Sequence, residues 1–158
     1  MNQAIHQKIA SWLEGNFDTA TKEEIRSLQA NQPDLLEDAF YRNLEFGTGG
    51  LRGLMGVGTN RVNKYTIGMA TQGFSNYLLK TYPNASISVV VGHDSRNNSR
   101  FFAETTAQVF AANGIKVYEC TILPQNVLAA DEIIVTNAIR GINWIGGYRT
   151  KRFQKIYR

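Results

Sequence analysis

The feature that most constrains this chain is a strand, a helix and a second strand fitted into about 34 residues. Ile87-Ser-Val-Val-Val91 is a short β-branched run of the kind found in buried strands. It enters the turn Gly92-His-Asp-Ser-Arg-Asn-Asn98, after which Ser99 can cap a helix that runs through Ala112 and is closed by Asn113-Gly114. A second strand follows at Ile115-Lys-Val-Tyr-Glu-Cys120. Such a βαβ unit is right-handed, and its ligands bind beyond the carboxyl ends of its parallel strands. The turn from Gly92 to Asn98 is therefore placed on the functional edge of an α/β fold. With 158 residues, 43% of them apolar, the chain is one domain by length and can bury a real core.

Helices are expected on the N-terminal side of this unit. Asn63 can cap one from about Tyr65 to Lys80, with Ile67, Ala70, Phe74, Tyr77 and Leu78 on its inner face. In the first 45 residues, Ile5, Ile9, Trp12 and Leu13 share a face, and Thr21-Lys-Glu-Glu24 forms a capping-box pattern ahead of Ile25 and Leu28. Pro33 suits the first position of a helix over Asp34 to Asn43, with Leu35, Leu36, Ala39, Phe40 and Leu44 apolar. Ordinary amphipathic spacing makes this region a helical lid, and no chemistry is visible in it. The expected organisation is a helical extension over residues 1–45, an α/β core over 46–123 and a basic tail over 124–158.

Several function classes fall away. One cysteine, Cys120, cannot build a disulfide framework, and with His6 and His93 it cannot make a zinc site. The N-terminus lacks a signal-peptide pattern and no apolar run is long enough to span a membrane, so a soluble, cytoplasmic protein with no membrane partner is expected. The net charge of +4 dissolves on division: residues 1–139 carry 11 bases against 13 acids, and residues 140–158 carry six bases and no acid. Residues 46–120 nevertheless hold seven bases against three acids, a locally cationic stretch suited to phosphate.

Glycine density rises abruptly at Phe46-Gly-Thr-Gly-Gly-Leu-Arg-Gly-Leu-Met-Gly-Val-Gly58. Backbone of this kind can approach a ligand closely and turn its N–H groups into an anion-binding nest, and Arg52 adds a planar five-donor fork. The pattern is neither of the common nucleotide-binding glycine motifs. Spacing alone leaves two readings open, a phosphate loop or a glycine-rich hairpin bearing one surface arginine. In the second loop, Asp94 and Arg96 serve either a site or the turn itself, with the structural role favoured. His93 reads as a turn histidine and Cys120 as a buried thiol.

Three segments together resemble the start of the first domain of the α-D-phosphohexomutases, the phosphoglucomutase and phosphomannomutase family. They are Leu44-Glu-Phe-Gly-Thr-Gly-Gly-Leu-Arg-Gly-Leu-Met-Gly-Val-Gly-Thr-Asn-Arg-Val-Asn63, Ala70-Thr-Gln-Gly-Phe-Ser-Asn-Tyr-Leu78 and Val91-Gly-His-Asp-Ser-Arg-Asn-Asn-Ser99. The resemblance spans roughly residues 34–123. It implies a three-layer α/β/α domain, incomplete at its C-terminal end and preceded by the helical extension. It also implies reversible phosphoryl transfer between C1 and C6 of a hexose phosphate, through a phosphoserine, Mg2+ and a hexose bisphosphate. By the same resemblance, Arg52 would help hold the phosphoryl group, Thr48, Gly49 and Gly50 would shape the loop, and Asp94 and Arg96 would support a turn.

The departures matter as much. The family continues with a Leu-x-Pro-Thr-Pro turn, a helix and a strand entering Thr-Ala-Ser-His-Asn-Pro, whose serine carries the phosphate. This chain reads Leu123-Pro-Gln-Asn-Val-Leu128 and then Ile133-Ile-Val-Thr136, with no serine after Ser99 and no Asp-Gly-Asp-x-Asp metal motif. The expectation is a truncated or frameshifted mutase domain, inactive alone, with no catalytic residue and no Mg2+ ligand of its own, a divergent but folded terminus being the other reading of the tail. An alternative is a non-catalytic phosphosugar- or anion-binding module. The aromatic and basic tail makes nucleic acid a further, disfavoured partner. Val127 to Ala130 offers at most one helical turn and Ile133 to Val135 at most a short strand, and the apolar residues beyond Thr136 hold no regular period. The tail is thus expected to add little to the core and to be cut first by protease, leaving an open sheet edge through which the chain self-associates.

Overall fold

The computed structural model describes residues 2–47, 50–93, 96–120, 132–137, 141–144, 147–148 and 151–152. Two compact units emerge, one formed by residues 1–45 with 53–63, the other by 46–52 with 64–158.

The first unit is built on three helices, α1 (Gln3–Glu14), α2 (Thr19–Asn31) and α3 (Pro33–Phe40). Asn2 caps α1 by accepting the Ile5 N–H at 3.0 Å. The cap of α2 is Asp18, which accepts from the Thr21 N–H at 3.0 Å and from the Thr21 hydroxyl at 2.7 Å. The capping box expected at Thr21 is thereby moved three residues earlier, because the carboxylate outcompetes a hydroxyl for the exposed N–H groups of the first turn. Pro33 opens α3 as expected, but the helix ends at Phe40 rather than Asn43, and Leu35 stays exposed. Ile5, Ile9, Trp12, Ile25, Leu36, Ala39 and Phe40 are buried. Trp12 stacks on Phe17 at 4.3 Å and meets the edge of Phe40 at 5.4 Å.

The second unit opens with the hairpin β1 (Phe46–Gly47) and β2 (Gly50–Leu51), followed by α4 (Lys64–Thr81), β3 (Ser88–His93), α5 (Ser99–Ala112) and β4 (Lys116–Cys120). The last three realise the expected βαβ unit, with β3 and β4 parallel. Leu78 of α4, Ala103 and Phe110 of α5, Val89 and Val91 of β3, and Ile87 and Ile115 form one cluster, so both helices cover the same face of the sheet. Val90, pointing the other way, is also buried. A strand buried on both faces is what a parallel sheet inside an α/β domain requires. Asn113-Gly114 closes α5, with the Ile115 N–H returning to the Phe110 carbonyl at 3.0 Å.

The inner face of α4 holds Ile67 and Leu78 as expected, with Phe74 partly buried against the cluster, and adds two polar residues. Thr71 and Ser75 are buried beside Ile67 and Leu78, while Phe74 and Tyr82 are only partly covered. Both hydroxyls donate to carbonyls one turn back, Thr71 to Ile67 at 2.8 Å and Ser75 to Thr71 at 2.9 Å, so each is buried with its polar group satisfied. Helix α4 packs on α5, with the Gly68 position close to Val109 and the Phe74 ring edge-on to Phe110 at 6.0 Å.

Beyond Cys120 the structure corrects the sequence reading. Strand β5 (Glu132–Asn137) is six residues long and pairs in parallel with β3, from Val89 opposite Glu132 to His93 opposite Thr136. Strand β6 (Gly141–Trp144) adds antiparallel to β5, giving the order β4-β3-β5-β6. The β3 edge expected to stand open is therefore covered. Farther on, β7 (Gly147–Tyr148) and β8 (Lys151–Arg152) form an antiparallel pair within the stretch where no period was found. Non-local ladder pairing, which leaves no periodic trace over so few residues, decides all three. The single turn expected over Val127 to Ala130 lies outside the described residues, as do Arg140, Arg149, Lys155 and Arg158 of the basic tail.

Candidate functional site

The glycine-rich segment folds as a hairpin followed by a return loop. In the hairpin, Phe46 pairs with Leu51 and Gly47 with Gly50. Gly50 has φ +102°, which a side chain would strain, at the start of the second strand of the hairpin. Extended backbone sends successive side chains to opposite sides, so the burial of Leu51 (2% exposed) turns Arg52 outward, where it is exposed. The same strand β2 lies alongside β6.

From Gly53 to Asn63 the chain belongs to the helical unit. The Asn60 N–H donates to the Ala39 carbonyl at 2.9 Å, the Leu44 N–H to the Thr59 carbonyl at 2.7 Å, and the Val62 N–H to the Leu54 carbonyl at 2.8 Å. The Asn63 side-chain amide, expected to cap the next helix, donates to the carbonyls of Gly56 at 2.9 Å and Gly58 at 3.0 Å. Gly58 has φ +114°, and a Cβ there would lie 2.4 Å from the Ala39 carbonyl oxygen. Arg61 is buried and pairs with the Asp38 carboxylate. Sequence reasoning singled out none of Asn60, Arg61 and Asn63 as holding the loop: the partners of Asn60 and Arg61 on α3 lie some 20 residues away, and Asn63 reads only as a helix cap.

The second candidate loop lies where expected, at the carboxyl end of β3. Gly92 is buried and His93 exposed; Arg96 is exposed and offers its carbonyl to the Ser99 N–H at 3.1 Å as α5 begins. Asn98, just before the helix, adopts φ +64°, a conformation that asparagine tolerates. Because β5 runs parallel to β3, Thr136 ends on this same edge, opposite His93. Arg52 and Arg96 thus stand on separate elements, one on the hairpin and one in the turn. Thr48, Gly49 and Asp94 lie outside the described residues.

Among the described residues, no three His, Cys, Asp or Glu side chains gather into a group that could hold a metal ion. None of the described helices is long and apolar enough to cross a membrane.

The family model described as phosphoglucomutase/phosphomannomutase, alpha/beta/alpha domain I, matches residues 43–141. The chain belongs to this family. The match covers the hairpin, the return loop, the βαβ unit and β5, and it runs past residue 123, where the sequence resemblance was drawn to a close. Among curated relatives, a probable phosphoribomutase of Schizosaccharomyces pombe is 38% identical over 120 residues, which are 75% of this chain and 20% of the relative. A phosphopentomutase of Mus musculus is 36% identical over 126 residues, again 75% of this chain and 20% of the relative. A phosphoglucomutase of Staphylococcus haemolyticus is 43% identical over 82 residues, 52% of this chain and 15% of the relative. The chain therefore spans about a fifth of the length of the first two relatives. No solved structure matches it significantly.

Proposed function

We propose that this chain supplies the phosphate-holding first domain of a phosphomutase acting on aldose phosphates. The observation that carries the reading is Arg52, turned outward by the burial of Leu51 at the end of a glycine hairpin, inside the span matched by the family. A guanidinium offers a phosphate two parallel charge-assisted hydrogen bonds, and the glycine backbone leaves room for N–H groups to add to them. In this reading Thr48, Gly49 and Gly50 shape the loop, and Asp94 and Arg96 support the turn at the end of β3. The names of the relatives include pentose as well as glucose mutases, which widens the expected substrate from hexose phosphates to aldose phosphates in general. Mg2+, when bound, would neutralise charge on the transferring phosphoryl group, and a sugar bisphosphate would prime the cycle.

Phosphoryl transfer needs a nucleophile, positioning and charge neutralisation together, and Arg52 provides one phosphate contact. By itself, then, the chain binds phosphate without turning over glucose 1-phosphate or ribose 1-phosphate. One charge-assisted contact is worth about 1.5–3 kcal/mol, so affinity should be weak, roughly 6–80 mM. Amide NMR titrations with inorganic phosphate, glucose 1-phosphate and ribose 1-phosphate should perturb residues 46–58 in the natural chain and fail to do so in Arg52→Ala. Equal binding by the two proteins would refute the reading. Turnover that follows the chain through purification would refute the claim of inactivity.

A further inference from the structure

Asn113-Gly114 is the one Asn–Gly pair in the chain, and it stands at the end of α5. The pair carries a chemical liability of its own. Glycine has no side chain to keep its backbone nitrogen away from the amide carbon of a preceding asparagine, so an Asn–Gly bond readily closes to a five-membered succinimide. In that step the Gly114 nitrogen bonds to Asn113 Cγ, the Cγ–Nδ2 bond breaks, and ammonia leaves with the Gly114 amide proton. Water then opens the ring at either carbonyl, leaving aspartate or isoaspartate at position 113.

The fold opposes each part of this reaction. Asn113 has ψ 10°, which nearly eclipses the Gly114 nitrogen with the Asn113 nitrogen and so turns it away from Cβ. The Gly114 N–H is bonded to the Ala111 carbonyl at 3.0 Å. The reacting side chain is fixed as well. Asn113 Nδ2 donates to the Val109 carbonyl at 2.8 Å and to Gln72 Oε1 at 2.9 Å, while Asn113 Oδ1 accepts from Gln72 Nε2 at 2.8 Å. Because a carbonyl only accepts, Val109 decides which end of the Asn113 amide is nitrogen, and Gln72 meets both ends in the complementary sense. Gln72 lies 41 residues earlier, exposed on α4, and its Nε2 also donates to Asn76 Oδ1 at 2.8 Å.

We propose that Asn113 is a deamidation site kept latent by Gln72. Its Cγ reaches the Gly114 nitrogen only after the reciprocal amide pair between α4 and α5 has opened. Conversion removes that pair, since a carboxylate accepts and cannot donate to Val109 or to Gln72 Oε1. It also sets a negative charge at the C-terminal end of α5, where the helix dipole disfavours it. The passage into β4, held by the Ile115 N–H on the Phe110 carbonyl at 3.0 Å, then loosens.

The test incubates the full chain at mildly alkaline pH and follows conversion of Asn113 by peptide mapping with mass spectrometry and an isoaspartate assay. The natural chain unfolded in urea gives the unrestrained rate. Gln72 is exposed, so Gln72→Ala leaves the fold intact, and Ile87→Val, in the core cluster of the same unit, is the control for lost stability. The expected order is unfolded chain fastest and folded natural chain slowest. Gln72→Ala should convert about fivefold or more faster than the folded natural chain, the effect of losing two neutral hydrogen bonds at the surface. Ile87→Val should stay near the natural rate. Conversion no faster in Gln72→Ala than in the natural chain, an acceleration matched by Ile87→Val, or a folded natural chain that converts as fast as the unfolded one would overturn the proposal. Asn113→Asp stands for one product and should speed exchange of the Ile115 amide; unchanged exchange there would refute the loosening at the end of α5.

Discussion

Replacing Gly58 by alanine should be among the most damaging single-methyl changes available to this chain. Two costs combine. The φ of +114° is one that L side chains rarely adopt, and residues forced into such regions cost about 1–3 kcal/mol. The new methyl would also sit 2.4 Å from the Ala39 carbonyl oxygen and 2.9 Å from its carbonyl carbon, both rigid backbone atoms. Relief requires the end of α3 to move away, and the Ala39 carbonyl is the acceptor for the Asn60 N–H at 2.9 Å, a bond worth about 0.5–1.5 kcal/mol. The sum is about 3 kcal/mol, and for a chain of this size each kcal/mol lowers Tm by about 2–4 °C. Thermal unfolding followed by circular dichroism should therefore show Gly58→Ala melting about 6–12 °C early. Gly73→Ala is the matched control: it lies within α4, no atom lies within 4 Å of its ideal Cβ, and the same methyl should raise stability by about 0.5–1 kcal/mol. If Gly58→Ala melts within about 2 °C of the natural chain, the close approach of this loop to α3 is refuted.

Trp12→Ala removes a ring that is 6% exposed and packed on Phe17 and Phe40, and should cost about 3–5 kcal/mol in urea unfolding; a loss under about 1 kcal/mol would contradict that packing. Thr106 is fully buried on α5, and among the described residues its hydroxyl finds no partner. Thr106→Val should thus raise stability by about 1 kcal/mol, and a fall of that size would mean that the hydroxyl is satisfied. Arg52→Ala, at an exposed position, should shift unfolding by no more than about 0.5 kcal/mol while abolishing the phosphate response, so a large loss of stability would make Arg52 a structural residue.

Much of the local structure was legible because its determinants are local. The β-branched run of β3, the helix α5 closed by Asn113-Gly114, and Pro33 at the start of α3 each carry their signal within a few residues, and each element lies where the sequence placed it. The outward Arg52 was legible for a similar reason, since glycine density and a familiar motif surround it. The phosphate role proposed for it rests on chemistry and resemblance rather than on periodicity.

Tertiary structure decided what depends on partners far along the chain. Thr71 and Ser75 take the buried stripe of α4 with their hydroxyls bonded one turn back, something an apolar periodicity does not announce. Ile133-Ile-Val-Thr136 looked like a stub, and became part of a central strand once β3 presented an unpaired edge of matching direction. Arg61 carries no local signal, and only the fold sets its buried guanidinium against the half-exposed carboxylate of Asp38, 23 residues earlier. A sequence by itself determines which residues favour helix, strand or turn, because those preferences are set by neighbours within a few positions. Which buried charge finds its counter-charge, and which strand fills an edge, is decided only when distant segments exclude water between them.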